Sequence, residues 1–148
     1  PQVTSTSKTA NTLWLHWHLK LLRWINLRLY RINIFMASTF KSYVTPSIGT
    51  VANTVYNPTA TGIQSTVIGM TVANRTTAPI SISVQLDKGG LGTNVGYIIK
   101  DGLVGTGGAI IVVGGDQKLV VERNDLLKVT SNTASSADST LSVLEITP

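Results

Sequence analysis

Cysteine is absent from the chain and histidine stops at His18. The first absence removes disulfide frameworks, thiolate metal sites, iron–sulfur ligation and cysteine nucleophiles together, since each needs the sulfur itself. The second leaves everything after His18 without a Ser–His nucleophile pair or a histidine metal ligand. No tryptophan follows Trp24, so no indole face is available there for a sugar to stack on. Charge is also scarce, at 13% against 43% hydrophobic residues. That balance excludes a disordered chain, in which low hydrophobicity and high charge prevent collapse. The 148 residues suffice for one domain with a real core and are too few for two ordinary ones.

What charge there is falls unevenly. The formal net charge of +5 arises before Met36, where Lys8, Lys20, Arg23, Arg28 and Arg31 meet no acid. From Met36 onward Lys41, Arg75, Lys88, Lys100, Lys118, Arg123 and Lys128 balance Asp87, Asp101, Asp116, Glu122, Asp125, Asp138 and Glu145. A neutral surface has no general means of releasing counterions from a phosphate backbone, so no specific nucleic-acid partner is expected. All the tryptophans and histidines also precede Met36, while most Gly, Val, Thr and Ser follow it. We therefore divide the chain into residues 1–35, a basic, Trp-containing extension, and residues 36–148, a folded domain.

Residues 13–35 are apolar but broken every few positions by Lys20, Arg23, Asn26, Arg28, Arg31 or Asn33. They lack the ~20 uninterrupted apolar residues of a membrane span and the compact apolar run and cleavage site of a signal peptide. As a helix, the segment would gather Lys20, Arg23, Arg28 and Arg31 within about 140° of one another, with Trp17, Trp24 and Leu27 intruding on that basic face. Three readings stay open. The favoured one takes Met36-Ala37-Ser38-Thr39 as a natural start, with residues 1–35 an upstream extension that does not belong to the natural product. A basic helix lying on an anionic membrane or a partner is the second, and a packed helix the third.

After Met36, short runs rich in Val, Ile, Thr, Ser and Tyr are bounded by Gly, Pro, Asn or Asp, the pattern of strands and turns. The runs predict strands at 39–44, 50–56, 65–74, 80–86, 96–100, 109–113, 118–122, 126–130 and 140–146. Ile80, Ile82, Val84 and Leu86 alternate with Ser81, Ser83 and Gln85, as a half-buried strand requires. Leu141, Val143 and Glu145 alternate with Ser142, Leu144 and Ile146, so the last strand carries apolar groups on both sides. Such a strand is either covered twice or meets a neighbouring subunit. Eight or nine short antiparallel strands without intervening helices predict an all-β fold, a β-sandwich or jelly roll.

Punctuation between the strands is explicit. Gly114-Gly115-Asp116 supplies positive-φ positions for a tight hairpin, so its flanking strands are expected to pair antiparallel. Asn57-Pro58-Thr59 and Thr77-Ala78-Pro79 end strands because proline cannot donate to a ladder. Gly89-Gly90-Leu91-Gly92, residues 102–108 and residues 131–139 are expected as exposed loops.

The sequence offers no catalytic, cofactor-binding or metal-ligating residue. The acids Asp87, Asp101, Asp116, Glu122, Asp125, Asp138 and Glu145 could in principle supply a glycosidase-like pair. Most stand beside Gly, Asn or Lys, where Asp serves turn hydrogen bonds, so turn and surface roles are expected instead. Gly105-Thr106-Gly107-Gly108 is followed by neither Lys-Ser nor Lys-Thr and by no helix, unlike a phosphate-cradling loop. Asp87-Lys88-Gly89-Gly90 lacks the alternating acids of a calcium loop. His16 and His18 lack further ligands for a metal. Asn74-Arg75-Thr76 fits the glycosylation pattern, which has meaning only in a eukaryotic secretory setting.

Three phrases carry a resemblance: Thr66-Val67-Ile68-Gly69-Met70-Thr71-Val72-Ala73-Asn74, Val112-Val113-Gly114-Gly115-Asp116-Gln117-Lys118-Leu119-Val120, and Leu127-Lys128-Val129-Thr130-Ser131 ahead of Leu141-Ser142-Val143-Leu144-Glu145-Ile146. In this texture residues 36–148 resemble small virion structural proteins of tailed bacteriophages, notably those of marine bacteria; residues 1–35 have no counterpart. The resemblance implies a β-sandwich module repeated on a capsid, neck or tail, without enzymatic activity or cofactor, partnered by itself and by other virion proteins. Physical logic runs the same way: strand edges and apolar faces of a small neutral domain are safest when covered by identical neighbours. A homo-oligomer is expected, with a trimer favoured. Two alternatives stand beside this reading. One is a carbohydrate- or host-receptor-binding sandwich in which Tyr97, Asn94 and Asp138 meet a glycan. The other is a membrane-associated protein anchored by residues 13–35.

Overall fold

The computed structural model describes residues 36–147 and, ahead of them, Lys20 alone. The expected helix over residues 13–35, the membrane anchor built on it and the His16–His18 pair lie outside the described residues. Alternating apolar and polar positions produce nine strands: β1 (Ala37–Ile48), β2 (Asn53–Tyr56), β3 (Gln64–Asn74), β4 (Ile80–Asp87), β5 (Val95–Val104), β6 (Ala109–Val113), β7 (Leu119–Val121), β8 (Leu126–Ser131) and β9 (Ala137–Thr147). Among the described residues a 3-10 turn, Lys88–Gly90, interrupts them. All pairings are antiparallel. The all-β sandwich is therefore the fold.

The first sheet runs β1-β9-β3-β6, with β7 also on β3, and the second runs β2-β8-β4-β5. The chain crosses from one sheet to the other at most connections, whereas β4 and β5 form a hairpin within the second sheet. Between the sheets lie Val67, Val72, Ile80, Ile82, Val84, Val113, Val121, Leu127, Val129, Leu141 and Val143, all buried. Each such side chain contributes about 1.5–3 kcal/mol by leaving water. Ile80, Ile82 and Val84 point inward as their alternation predicts, and so do Leu141 and Val143.

Three expectations need correction. Gly114-Gly115-Asp116 does not close a hairpin, because β6 and β7 do not pair with each other; both lie antiparallel against β3. β6 covers Met70–Ala73 and β7 covers Ser65–Val67, so they are two segments of one edge, and the glycines form a jog between them. Gly115 takes φ 60 and Gln117 N donates to Gly114 O at 3.2 Å. The physical reason is the length of β3, whose free edge extends beyond what the five residues of β6 can pair.

The loop expected at 102–108 is shorter, since β5 continues through Val104. Asp101 takes φ 53 at a register shift in the β4–β5 ladder, and its amide donates to Ser83 Oγ at 3.0 Å, so the strand resumes after the irregularity. The loop expected at 131–139 also shrinks, because Ser131 belongs to β8 and Ala137–Ser139 to β9. Ser131, Ser136, Ala137 and Ser139 are buried rather than exposed. Ser131 N donates to Gly49 O at 2.8 Å, Ser136 N donates to Ile48 O at 2.9 Å, and Ser136 Oγ donates to Thr133 O at 2.7 Å. Ser131 Oγ lies 2.6 Å from Ser136 Oγ, and hydroxyls paired in this way make the segment compatible with the interior, whereas the buried Ser139 Oγ has no hydrogen-bond partner among the described residues.

Candidate functional site: two acid clusters and an uncharged sheet face

Glu145 is a strand residue of β9, and its parity places it beside Leu141 and Val143, facing inward. It is buried and accepts three hydrogen bonds: Lys41 Nζ to Oε2 at 2.7 Å, Tyr43 OH to Oε1 at 2.7 Å and Tyr56 OH to Oε1 at 2.8 Å. The Tyr56 hydroxyl also lies 2.8 Å from Ser65 Oγ. A phenol has one proton and a carboxylate can only accept, so Tyr56 donates to Glu145 and receives the Ser65 proton. The Tyr43 and Tyr56 rings pack at 5.1 Å with a 56° tilt. Because Tyr56 comes from the second sheet and the other members from the first, this cluster ties the two layers together.

Burial pushes the Glu145 carboxyl up, but the Lys41 ammonium and the two phenols outweigh it and hold the group below its ordinary value. Burial and the adjacent carboxylate push the Tyr43 phenol up to about 12. Burial likewise raises Tyr56, with Glu145 adding to it and the Ser65 hydroxyl opposing. At neutral pH the acid is thus a fixed anion and the phenols fixed donors, the reverse of what a general acid or base needs. An open groove of about 370 Å³ runs past the cluster, lined by Thr54, Asn57, Pro58 and Ile63 together with Tyr43, Tyr56 and Glu145.

A second cluster sits where the β4–β5 loop meets the β7–β8 turn. Asp87, buried at the end of β4, takes Lys128 Nζ at 2.8 Å and the amide of Gly92 at 3.0 Å. Asp125, also buried, takes Lys88 Nζ at 2.7 Å and the amides of Gly89 at 2.9 Å and Glu122 at 2.8 Å. Lys88 reaches Glu122 as well, at 2.6 Å. The Lys128 hydrogen bond outweighs burial and holds Asp87 below its ordinary value. For Asp125 burial is the largest influence, yet Lys88 and the two amides overcome it and keep the carboxyl low. Asp125 and Glu122 together hold the Lys88 ammonium above its usual range. The Gly89–Gly92 loop is thereby pinned at both ends, although it is exposed as expected.

The acids expected in turn and surface roles therefore divide. Asp125 does bond turn amides, Asp101 sits at its bulge, and Asp138 holds Ser47 N at 2.8 Å and Arg75 at 3.3 Å near the surface. Asp87, Asp125 and Glu145 are buried ion-pair members, a role that spacing does not reveal because their lysines come from segments distant in the chain. Asn74 of the Asn74-Arg75-Thr76 pattern is buried, and its Nδ2 donates to the carbonyls of Ala78, Val104 and Gly105 at 2.8, 3.2 and 3.1 Å. Its Oδ1 accepts from Thr76 N at 2.8 Å. Its amide is spent on the fold, and no sugar could be joined to it there. Asn94 accepts from Lys88 N near the Asp87 end of β4, while Asp138 pairs with Ala73 near the opposite end. The length of β4 separates them by about 25 Å, so Tyr97, Asn94 and Asp138 do not converge on one ligand.

The two outward sheet faces differ in kind. On the second sheet, Thr54, Lys128 and Gln85 lie side by side, Thr130 lies beside Ser83, and Ser81 lies beside Leu103. That is a wet surface. On the first sheet, Phe40, Leu144, Thr66 and Val120 lie in one row. Val44, Thr140, Thr71 and Ile111 form another. Phe40 is 73% exposed, Val44 66%, Ile111 71% and Val120 58%, so these are large apolar groups left in water. Alternation alone could have found the row in β9, where Leu144 and Ile146 share the outward side; only the pairing register brings Phe40 and Val120 to it.

No family model and no curated protein matches this chain. Among solved structures it is similar to a protein of Bacillus endospore appendages, described as disulfide-linked pili, at 19% identity with a TM-score of 0.48, covering 78% of this chain and 92% of that one. It is also similar to the infectious bursal disease virus VP2 subviral particle, at 13% identity and a TM-score of 0.46, covering 77% of this chain and 33% of that one. A structure of the Gt strain of the same virus aligns at 11% identity with a TM-score of 0.38, again over 77% of this chain and 33% of that one. These are likenesses of β architecture alone, and the protein is an all-β sandwich.

Proposed function

We propose that the chain is a non-enzymatic structural component of a bacteriophage virion, a capsid decoration, neck or tail-associated protein that acts by assembling with copies of itself and with other virion proteins. The observation that carries this reading is the outward face of the first sheet, where large apolar side chains stand in rows with no charge among them. Such a face marks a contact surface rather than a solvated one. Two further features support it. The chain crosses between sheets in the manner of a double-sheet jelly roll, a fold used by capsid domains. Each buried acid is neutralised by its own lysine, which suits a rigid building piece. The boundary at Met36, with residues 36–148 as the assembling domain, belongs to the same proposal.

The test is fractionation. Particles from a producing host, banded on a density gradient and treated with nuclease, should contain the chain in fixed ratio to the major capsid protein. Recovery of the chain only from the particle-free fractions would refute the reading.

A further inference from the structure

We propose that the outward face of the β1-β9-β3-β6 sheet is occupied by a second copy of this chain, packed sheet against sheet about a twofold axis. The inference rests on the assembly reading above and names the partner of that face. Its relief comes from register. The Phe40–Leu144–Thr66–Val120 row and the Val44–Thr140–Thr71–Ile111 row flank a row of small groups, Ser42–Ser142–Gly69. Two ridges with a trough between them form a shape that a rotated copy of itself can fill, and one patch used by both partners is what a twofold interface requires. The sheets of a sandwich pack about 10 Å apart with interleaved side chains, and the same geometry is available between two molecules here.

Charge selects the occupant. Lys41 and Glu145, charged residues in the middle and far end of β1 and β9, face the interior side, where they bond each other. Asp138 and Arg75 pair at one end of the face and form its rim. Lys118 and Glu122, exposed on either side of Val120, stand at the β7 edge of the sheet, so a second copy centred on β1, β9 and β3 covers the rows without desolvating a charge, which would cost several kcal/mol per unpaired ion. The domain from Met36 onward balances its acids and bases, so two copies approach without net repulsion.

The area is sufficient. Four strands about 4.8 Å apart and ten residues at ~3.3 Å each make a face of roughly 630 Å², and two such faces bury roughly 1,250 Å². Specific interfaces begin at about 1,200 Å². The outward face of the other sheet, with Lys128, Gln85, Ser83 and Thr130, has no comparable apolar rows.

The experiment uses the full chain in sedimentation equilibrium at micromolar concentrations. Wild type should sediment at twice the chain mass or an even multiple of it. Phe40→Asp combined with Ile111→Asp puts a carboxylate on each ridge and should weaken association at least about 100-fold. Leu103→Asp, equally exposed on the other sheet, should leave it unchanged. As a check independent of these variants, a thiol reagent should modify Ser42→Cys in this cysteine-free chain slowly and Leu103→Cys quickly, because only the first position is covered by the second copy. A monomeric wild type, or the trimer favoured from the sequence, refutes the inference. An oligomer that survives the double substitution, or is lost equally with Leu103→Asp, refutes the face while leaving the assembly reading intact. Cross-linking of the Ser42→Cys chain to a different protein in gradient-purified particles would replace the second copy with another occupant.

Discussion

Replacing Tyr56 with Phe tests whether the Glu145 cluster ties the sheets together, because it deletes one oxygen and leaves the ring and its packing against Tyr43 in place. The deleted hydroxyl donates to a buried carboxylate and accepts from Ser65, which is itself buried. A hydrogen bond to a charged group is worth about 1.5–3 kcal/mol, and an orphaned buried hydroxyl adds to the loss. We expect a loss of about 2–3 kcal/mol, which for a domain of this size lowers Tm by about 4 °C per kcal/mol. The pH dependence carries the sharper signature. Glu145 lies below its ordinary value in the folded state, so its contribution is complete above the unfolded carboxyl value and is lost as pH falls through the folded one. Removing a donor brings the folded value closer to the unfolded one. The stability gap between wild type and Tyr56→Phe should therefore be widest near pH 7 and narrow steadily below about pH 4.5. Chemical denaturation at a series of pH values measures both. A gap under about 0.5 kcal/mol at pH 7, or one that stays constant down to pH 3, would refute the clamp.

Alkaline titration followed by tyrosinate absorbance should show Tyr43 and Tyr56 resisting ionisation near pH 10, with Tyr43 titrating at about 12. Since these folded values are raised, stability should hold below about pH 10 and decline as pH rises toward 12; ionisation of both groups near 10 in the folded protein would contradict the geometry. Asp125→Asn keeps one acceptor for two backbone amides and removes the charge under Lys88, so we expect about 2–3 kcal/mol of destabilisation by denaturant titration. Faster hydrogen exchange should accompany it at the Gly89 and Glu122 amides. Asn74→Ala leaves the Ala78, Val104 and Gly105 carbonyls without their donor and should cost about 3 kcal/mol, with a thermal melt as the readout; a loss under 1 kcal/mol would show that those carbonyls find other partners.

Strand identity was legible in the chain because the cause is local. Alternation such as Ile80-Ser81-Ile82-Ser83-Val84 can satisfy a pleat with one wet and one dry side, and prolines 58 and 79 stand just outside the strands beside them. The all-β class follows from the same short-range facts. Pairing is not local. Gly114-Gly115 supports a hairpin when considered alone, yet β3 offers one long edge and both flanking strands settle on it in succession. The acids show the same division: Glu145 is drawn into the interior by Lys41, Tyr43 and Tyr56, which are distant in sequence and adjacent only after the sheets close. The uncharged face is split in this way too. Composition determined that apolar residues would exceed what one small core can hide, while only tertiary register decided that Phe40, Leu144 and Val120 would share a row, because cross-strand neighbours are chosen by backbone hydrogen bonding between segments far apart in the chain.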